Sequence, residues 1–321
     1  MISVLDGGVS TTVQDAGRFG LYHIGMPPSG ALDDFSFRAA NLLVGNDETA
    51  PVLEATYNGP RLAFEQDTLV AVTGADLPAK VDGEERPAWE AFTVRAGQEL
   101  TFDYLRAGAR PYIAVAGGFK VPEVMGSSST YTLVALGGCE GRALRAGDSL
   151  RTGEPRGGRE GARVAERLRP QLMSDWEIRV VTGLCDYRLS EAGHRTFLET
   201  EWTVTPAADR IGYRYQGAEL EFVEREPPFG AGSDPSNVVD VGYPIGSIQV
   251  PGGVEPIALL NDAVTGGGYA TIATIISADR DAVAQSKTHD RTRFVAVPIE
   301  DALAARAERR RRLDEVRDSL T

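Results

Sequence analysis

Apolar and polar positions along this chain change over in short runs. The segments RLAFEQDTLVAVTG, AFTVRAGQELTFDY, RPYIAVAGG and GRALRAGDSL are rich in Val, Ile, Phe, Tyr and Thr and are bounded by Gly, Pro or Asp. That texture predicts strands joined in hairpins. A second set, WEIRVVTG, EWTVTP, IGSIQVP, EPIALLN, ATIATIISA and TRFVAVPI, repeats it without a fixed sequence period. Two stretches read differently. From Ser29 to Leu43, Leu32, Phe35, Ala39, Leu42 and Leu43 recur at helical spacing with Asp33 and Asp34 early, which predicts a helix opening near Ser29. From Ile299 to Leu320 the pattern is again helical, and its run Arg309 to Arg312 is expected on a solvated face. Between the two strand sets, RTGEPRGGREGARVAERLRPQ is polar apart from Leu168 and reads as a linker. The expected organisation is therefore mainly β with few helices: a first subdomain over 1–150, a linker over 151–172, a second subdomain over 173–298 and a C-terminal helix over 299–321.

Composition narrows the class. With 321 residues, 42% of them hydrophobic, the chain can bury a full core. Its 36 glycines exceed the roughly 7% usual in proteins and sit between strand-like runs, so they mark turns and close backbone approaches. A net charge of −13 argues against a nucleic-acid partner, whose phosphates call for a basic surface. No basic-then-apolar leader and no run of about 18 apolar residues is present, so the expected address is cytoplasmic with no membrane partner.

Several chemistries are missing. Lys80, Lys120 and Lys287 follow Ala79, Phe119 and Ser286, so no phosphate-binding P-loop exists. His23, His194 and His289 are far apart, and Cys139 and Cys185 lack zinc spacing; no metal is expected. No serine occupies a G-x-S-x-G elbow, and no lysine sits between methionines as in a biotin carrier.

What remains is four polar, glycine-bearing stretches. TTVQDAGRFG carries Gln14, Asp15 and Arg18, whose guanidinium suits a carboxylate or phosphate, or alternatively braces an Asp15 turn. In GMPPSGALD, Ser29 either caps the helix or meets an anion there, with Asp33 close behind. VMGSSSTYTLVALGGCEGR offers Ser127, Ser128, Ser129 and Thr130 as an oxyanion cradle or as a plain polar loop. ADRIGYR with GSIQVPGGVEPIALLNDAVTGGGYATIA brings Arg210, Gln249, Asp262, Thr265 and Tyr269, the inventory for orienting a small polar substrate and moving its protons.

Taken in order, TTVQDAGRFG, GMPPSGALDDFSFRAANLLVGN, LEATYNGP, VAVTGA, RPYIAVAGGF, GSSSTY, GCEGRALRAGD, DRIGYR, GSIQVP and DAVTGGGYATIA resemble the carboxyltransferase-domain family. That family includes the C-type subunit of bacterial 5-oxoprolinase, KipA-type proteins also called allophanate hydrolase subunit 2, and part of urea carboxylase. The resemblance runs from residue 1 to about 297. It departs at Gly266, where the family more often has a second threonine, and at QSKTHD, where a Q-x-P-G stretch is common.

The resemblance implies two barrel-like, cyclophilin-like subdomains and a cleft shared with a KipI-type partner, the B-type subunit of the enzyme, with an A-type subunit as a further partner. It implies a hydrolase component for ATP-dependent opening of 5-oxoproline to glutamate, with ATP held chiefly by the partner. Asp33 or Asp262 is then the acid or base, Arg210 the catalytic cation, and Gln14, Asp15, Arg18, Ser29, Ser127, Ser129, Thr130, Gln249, Thr265 and Tyr269 the substrate-binding set. Two alternatives stay open: carboxyl transfer from carboxybiotin on a separate carrier, and a non-catalytic KipA-type regulator that binds a kinase inhibitor.

Overall fold

In the strand Thr68–Asp76, Val70 and Val72 enter one buried cluster while Leu69 and Ala71 meet another. The strand Ala107–Val115 does the same, with Ile113 and Val115 on one face and Tyr112 and Ala114 on the other. Period-two alternation with both faces apolar requires cover on both sides. The computed structural model, which describes residues 1–226 and 228–320, supplies that cover.

The chain forms two compact units. The first comprises Met1–Arg18, Ser29–Leu172 and the residues from Arg310 onward; the second comprises Phe19–Pro28 and Met173–Arg309. In the first, a five-stranded sheet runs in the order Thr11–Gln14, Val52–Ala55, Ala107–Val115, Thr68–Asp76, Ala91–Val94. One face shares a core with a seven-stranded sheet through Val4, Leu62, Leu100 and Leu150. The other is covered by helix α1, Asp34–Leu43, through Phe35, Phe37, Ala40 and Leu43.

Helix α1 starts later than its periodicity predicts. Ser29 has φ +54° and Gly30 φ +83°, left-handed values that a right-handed helix cannot include. Asp33 is the N-cap instead, accepting the Ser36 N–H at 2.9 Å.

The second unit holds helices α2, Glu191–Glu199, and α3, Arg280–Gln285, beside a closed barrel of seven strands. The strands Asp175–Thr182 and Arg291–Ala296 pair in parallel, and the other neighbours pair antiparallel. Phe197 of α2 stacks on Phe294 at 4.9 Å between centroids, and Tyr215 meets Phe294 edge-on, fixing α2 to the wall. A separate ribbon pairs Asn237–Gly242 with Gly266–Tyr269. The fold is thus mainly β in two β units, of which the second is the closed barrel and the first is two stacked sheets.

The expected linker is no tether. Residues 151–172 belong to the first unit, where Ala162, Val164 and Leu168 are buried beside α1 and the backbone of Arg163 pairs with that of Glu90 in an isolated antiparallel β-bridge. Burying Val164 and Leu168 contributes roughly 1.5–3 kcal/mol each, enough to pin a short polar segment. The last helix, α4, spans Ile299–Leu320; the expected end at Thr321 lies outside the described residues. Its arginine run is only partly solvated. Arg309 bonds Asp281 at 2.6 Å, and Arg312 donates to the Leu168 carbonyl and stacks over Phe35 at 4.5 Å.

Candidate functional site

In the first unit the serine turn closes on an anion that the protein itself supplies. The Asp15 carboxylate accepts from Ser127 Oγ at 2.6 Å, Ser129 Oγ at 2.5 Å, the Ser128 N–H at 2.6 Å and the Gly17 N–H at 2.8 Å. The Asp15 N–H in turn donates to Ser129 Oγ. The serine turn read as a cradle or a polar loop holds the Asp15 carboxylate.

Arg18, only 2% exposed, donates from Nη2 to the Ser129 carbonyl and from Nε to that of Val124 at 3.5 Å. Thr130 continues the seam, donating from N and Oγ1 to the Val13 carbonyl and accepting Gln14 Nε2 at 3.1 Å. Gln14, Asp15, Arg18, Ser127, Ser129 and Thr130 therefore form one bonded cluster. Gln14 Oε1 is left over from it, buried without a hydrogen-bond partner.

Ser29 is tied to that cluster through the backbone, since the Ala31 N–H donates to the Asp15 carbonyl at 2.9 Å. A Cβ on Gly30 would meet Gly17 N at 2.9 Å, so the loop can lie this close only with glycine there. Ser29 Oγ is buried and has no partner. Asp33, expected as a free acid or base, is 1% exposed with both oxygens engaged by Ser36. The carboxylate thus caps α1 from a buried position.

Sequence reasoning gave no role to the network behind this loop. Glu54 accepts the Leu32 N–H at 2.9 Å and the Tyr112 hydroxyl at 2.8 Å, while the Tyr112 oxygen accepts the Asp33 N–H. Arg110 lies 3.9 Å from Glu54, both side chains almost fully buried. Burial, with Glu54 and Asp33 nearby, pushes the Tyr112 phenol well up, so it stays a donor to Glu54. Glu54 faces Tyr112 across neighbouring strands. The available signal was a charge inside each of the apolar runs VLEA and RPYIAV.

The unit also carries an open surface pocket of about 800 Å³, lined by Lys120, Arg151, Cys139, Leu150 and the Gly137–Gly141 turn. Arg142, beside that turn, is held by Asp148 and Glu140, and these bonds raise its pKa.

In the second unit, Asp262 and Arg210 form a two-pronged pair: Nε to Oδ2 at 2.8 Å and Nη2 to Oδ1 at 3.1 Å. Asp262 is 3% exposed, and its own N–H donates to the Arg210 carbonyl, so the pair is fixed at both backbone and side chain. Both carboxylate oxygens of Asp262 accept from Arg210, so the acid and the cation are held as one ion pair.

Thr265 and Tyr269 flank the three glycines of the ribbon. Tyr243 holds this segment, donating its N–H to the Thr265 carbonyl and bonding through its hydroxyl to both N and O of Tyr269. A Cβ on Gly267 would meet the Tyr243 ring at 3.1 Å, which explains one of the glycines. Burial raises the Tyr243 phenol. Gln249, on the barrel strand Ser247–Gln249, has a buried Oε1 without a partner. Among the described residues no cluster of His, Cys, Asp or Glu is arranged to hold a metal ion.

Comparison with known proteins fits this geometry into a family. The family described as carboxyltransferase domain, subdomain A and B, matches residues 24–296. The chain is 38% identical to the Escherichia coli protein named as the C subunit of 5-oxoprolinase, over 98% of this chain and 97% of that protein. It is 35% identical to the protein of the same name from Haemophilus influenzae, over 99% and 98%. The crystal structure of the K. lactis urea amidolyase superposes with a TM-score of 0.92 at 32% identity over 98% of this chain, which spans only 20% of that larger chain.

Proposed function

The chain belongs to the carboxyltransferase-domain family, spanning its subdomains A and B, and on that premise we propose that it is the C-like subunit of an ATP-dependent 5-oxoprolinase. The observation that carries the reading is end-to-end similarity, 38% over 97% of the E. coli C subunit, where the amidolyase likeness covers one part of a much longer chain. In this reading the protein acts with a KipI-type B subunit and an A-type subunit, and water is added across the lactam C–N bond of 5-oxoproline to give glutamate.

Nucleotide binding falls to a partner. Of the three lysines, Lys80 is paired with Asp103 and Lys287 with Asp290, and neither follows a glycine loop. The residues here do not suit a triphosphate, and no step of this chain runs through ATP. Its own contribution is positioning. Arg210, held in one orientation by Asp262, supplies fixed N–H donors to negative charge developing on the amide oxygen, without reorganisation when that charge appears. The Tyr243-braced ribbon sets Thr265 and Tyr269.

Reconstituting the chain with its two partner subunits tests the reading: ATP hydrolysis should be stimulated by 5-oxoproline and yield glutamate. Absence of stimulation with all subunits present would sink it. A second reading, carboxyl transfer from carboxybiotin, is favoured by the TM-score of 0.92 to the urea amidolyase. It predicts activity that avidin abolishes.

A further inference from the structure

Two arginines of the second unit, one buried and one half-buried, lack a counter-ion among the described residues. Arg188, in the short 3-10 turn Asp186–Arg188, is 4% exposed. Its Nη1 donates to the Asn237 carbonyl at 3.2 Å and its Nη2 to that of Pro235. Arg225, half-buried, donates from Nη2 to the same Asn237 carbonyl, so two guanidiniums meet on one oxygen. The chain has 46 acidic residues against 33 basic ones, yet among the described residues neither arginine makes an ion pair. Burial and the charge of Arg225 together lower the Arg188 pKa. Like charges gathered away from water are costly unless an anion neutralises them.

Unsatisfied polar atoms collect on the elements around this pair. Arg225 Nε, Asn237 Oδ1, Thr271 Oγ1 and Gln249 Oε1 are buried without a hydrogen-bond partner. Gln249 is the register partner of Thr271 on the neighbouring barrel strand, and Asn237 that of Tyr269 in the ribbon. The Ala270 N–H donates to the Ser236 carbonyl and the Cys185 N–H to that of Thr271, joining these pairs to one another and to the Arg188 turn. Buried polar groups are nearly always satisfied, so four exceptions on adjoining elements leave hydrogen-bonding capacity that a ligand can take up. The set is mixed: guanidinium N–H groups call for an oxyanion, and the amide oxygens of Gln249 and Asn237 call for an N–H or O–H donor.

We propose that Arg188 and Arg225 bind the carboxylate of a small cyclic amide, while Gln249 accepts from its ring N–H, so that the arginine pair selects substrates bearing a carboxylate. The proposal rests on the 5-oxoprolinase reading and names the selective contact. A phosphate satisfies the arginines and leaves the amide oxygens without donors; urea does the reverse. 5-Oxoproline brings both groups. Each guanidinium has five N–H donors, of which Arg188 uses two and Arg225 one on backbone carbonyls, so capacity for a carboxylate remains.

The thermal unfolding temperature of the full-length chain, followed with added 5-oxoproline, 2-pyrrolidinone or inorganic phosphate, separates these ligands, since 2-pyrrolidinone keeps the lactam and lacks the carboxylate. 5-Oxoproline should raise it, the other two should not, and Arg225→Gln should abolish the response. In the assembled complex, Arg225→Gln and Arg188→Lys should raise KM for 5-oxoproline roughly tenfold to a hundredfold with kcat little changed, the effect of losing charge-assisted hydrogen bonds to a ground-state anion. Arg188→Lys keeps the charge and removes the fork, which guards against a variant that fails to fold. Equal protection by 2-pyrrolidinone, protection by phosphate alone, no response to 5-oxoproline, or an unchanged KM in folded Arg225→Gln would each overturn the assignment. A wild-type complex inert toward 5-oxoproline would remove the functional reading instead, and the unfolding measurements would still decide whether these arginines hold a carboxylate.

Discussion

The Asp15 cluster of the first unit and the Arg188–Arg225 cluster of the second are both dense in polar groups, and they differ in how the buried charge is met. Around Asp15, two serine hydroxyls and two backbone N–H groups converge on a carboxylate that the chain provides, so the charge finds its partners internally. Around Arg188 and Arg225 the charges lack a partner carboxylate among the described residues, and four buried atoms on adjoining elements have no mate. Polar density is thus a poor guide to a ligand site. A charge without a carboxylate partner among the described residues is the better one, because its burial is costly unless an anion offsets it.

The largest expected effect lies on the Arg210–Asp262 pair. In the reconstituted complex, Arg210→Ala should lower kcat by about two to three orders of magnitude, the usual loss when a fixed oxyanion donor is removed. It also strands Asp262 in a buried site at a cost of about 3–5 kcal/mol, so urea unfolding must accompany the kinetics. Arg210→Lys retains the charge without the two-pronged geometry and should still lower kcat at least about tenfold if the fork matters. A fully active Arg210→Lys would move the chemistry away from this pair.

Asp15→Asn tests the other side of the comparison. Replacing one carboxylate oxygen by an NH2 sets a donor against the Ser128 N–H or the serine hydroxyls and should destabilise the chain by about 2–4 kcal/mol in urea unfolding. KM for 5-oxoproline should stay within about twofold, since the cradle is architectural. A rise in KM larger than the stability loss explains would make Asp15 a substrate contact and break the contrast.

Much of the fold could be read from alternation alone, because period-two patterns survive wherever a sheet face is buried. The strands around Val70, Ile113 and Ile248 were legible for that reason, as was α4 from its helical period. The start of α1 was not, because Ser29 stands where a capping residue is expected ahead of Leu32, while the backbone of Ser29 and Gly30 is left-handed. The segment 151–172 was missed as a packed element since Val164 and Leu168 are only two apolar anchors in a polar stretch.

The site was legible as a set of loops, through residue types such as Asp262 and Arg210, whose pairing across 52 residues no local pattern discloses. Glu54, Arg110 and Tyr112 carried only the faint signal of charge within apolar runs. Arg188 and Arg225 carried none. Their meaning comes from a missing partner, which only the folded chain reveals.

The smallest expected effect is at Ser29. Its φ of +54° is unfavourable for any residue with a Cβ, by about 1–2 kcal/mol, whereas glycine adopts it freely. Against that, glycine loosens the unfolded chain by about 0.4–1 kcal/mol, leaving Ser29→Gly a net gain near 0.5 kcal/mol, readable in urea unfolding. The Ser29 hydroxyl is buried and bonds nothing, so its removal forfeits no internal hydrogen bond. A serine kept in a strained conformation that glycine would relieve has its use outside the folded chain's own stability. If that use is substrate contact, Ser29→Gly should raise KM for 5-oxoproline severalfold while the protein becomes more stable. A more stable variant with wild-type KM would place Ser29 with Asp15 as architecture, leaving Gln14 Oε1 as the acceptor of that cluster for a ligand to meet.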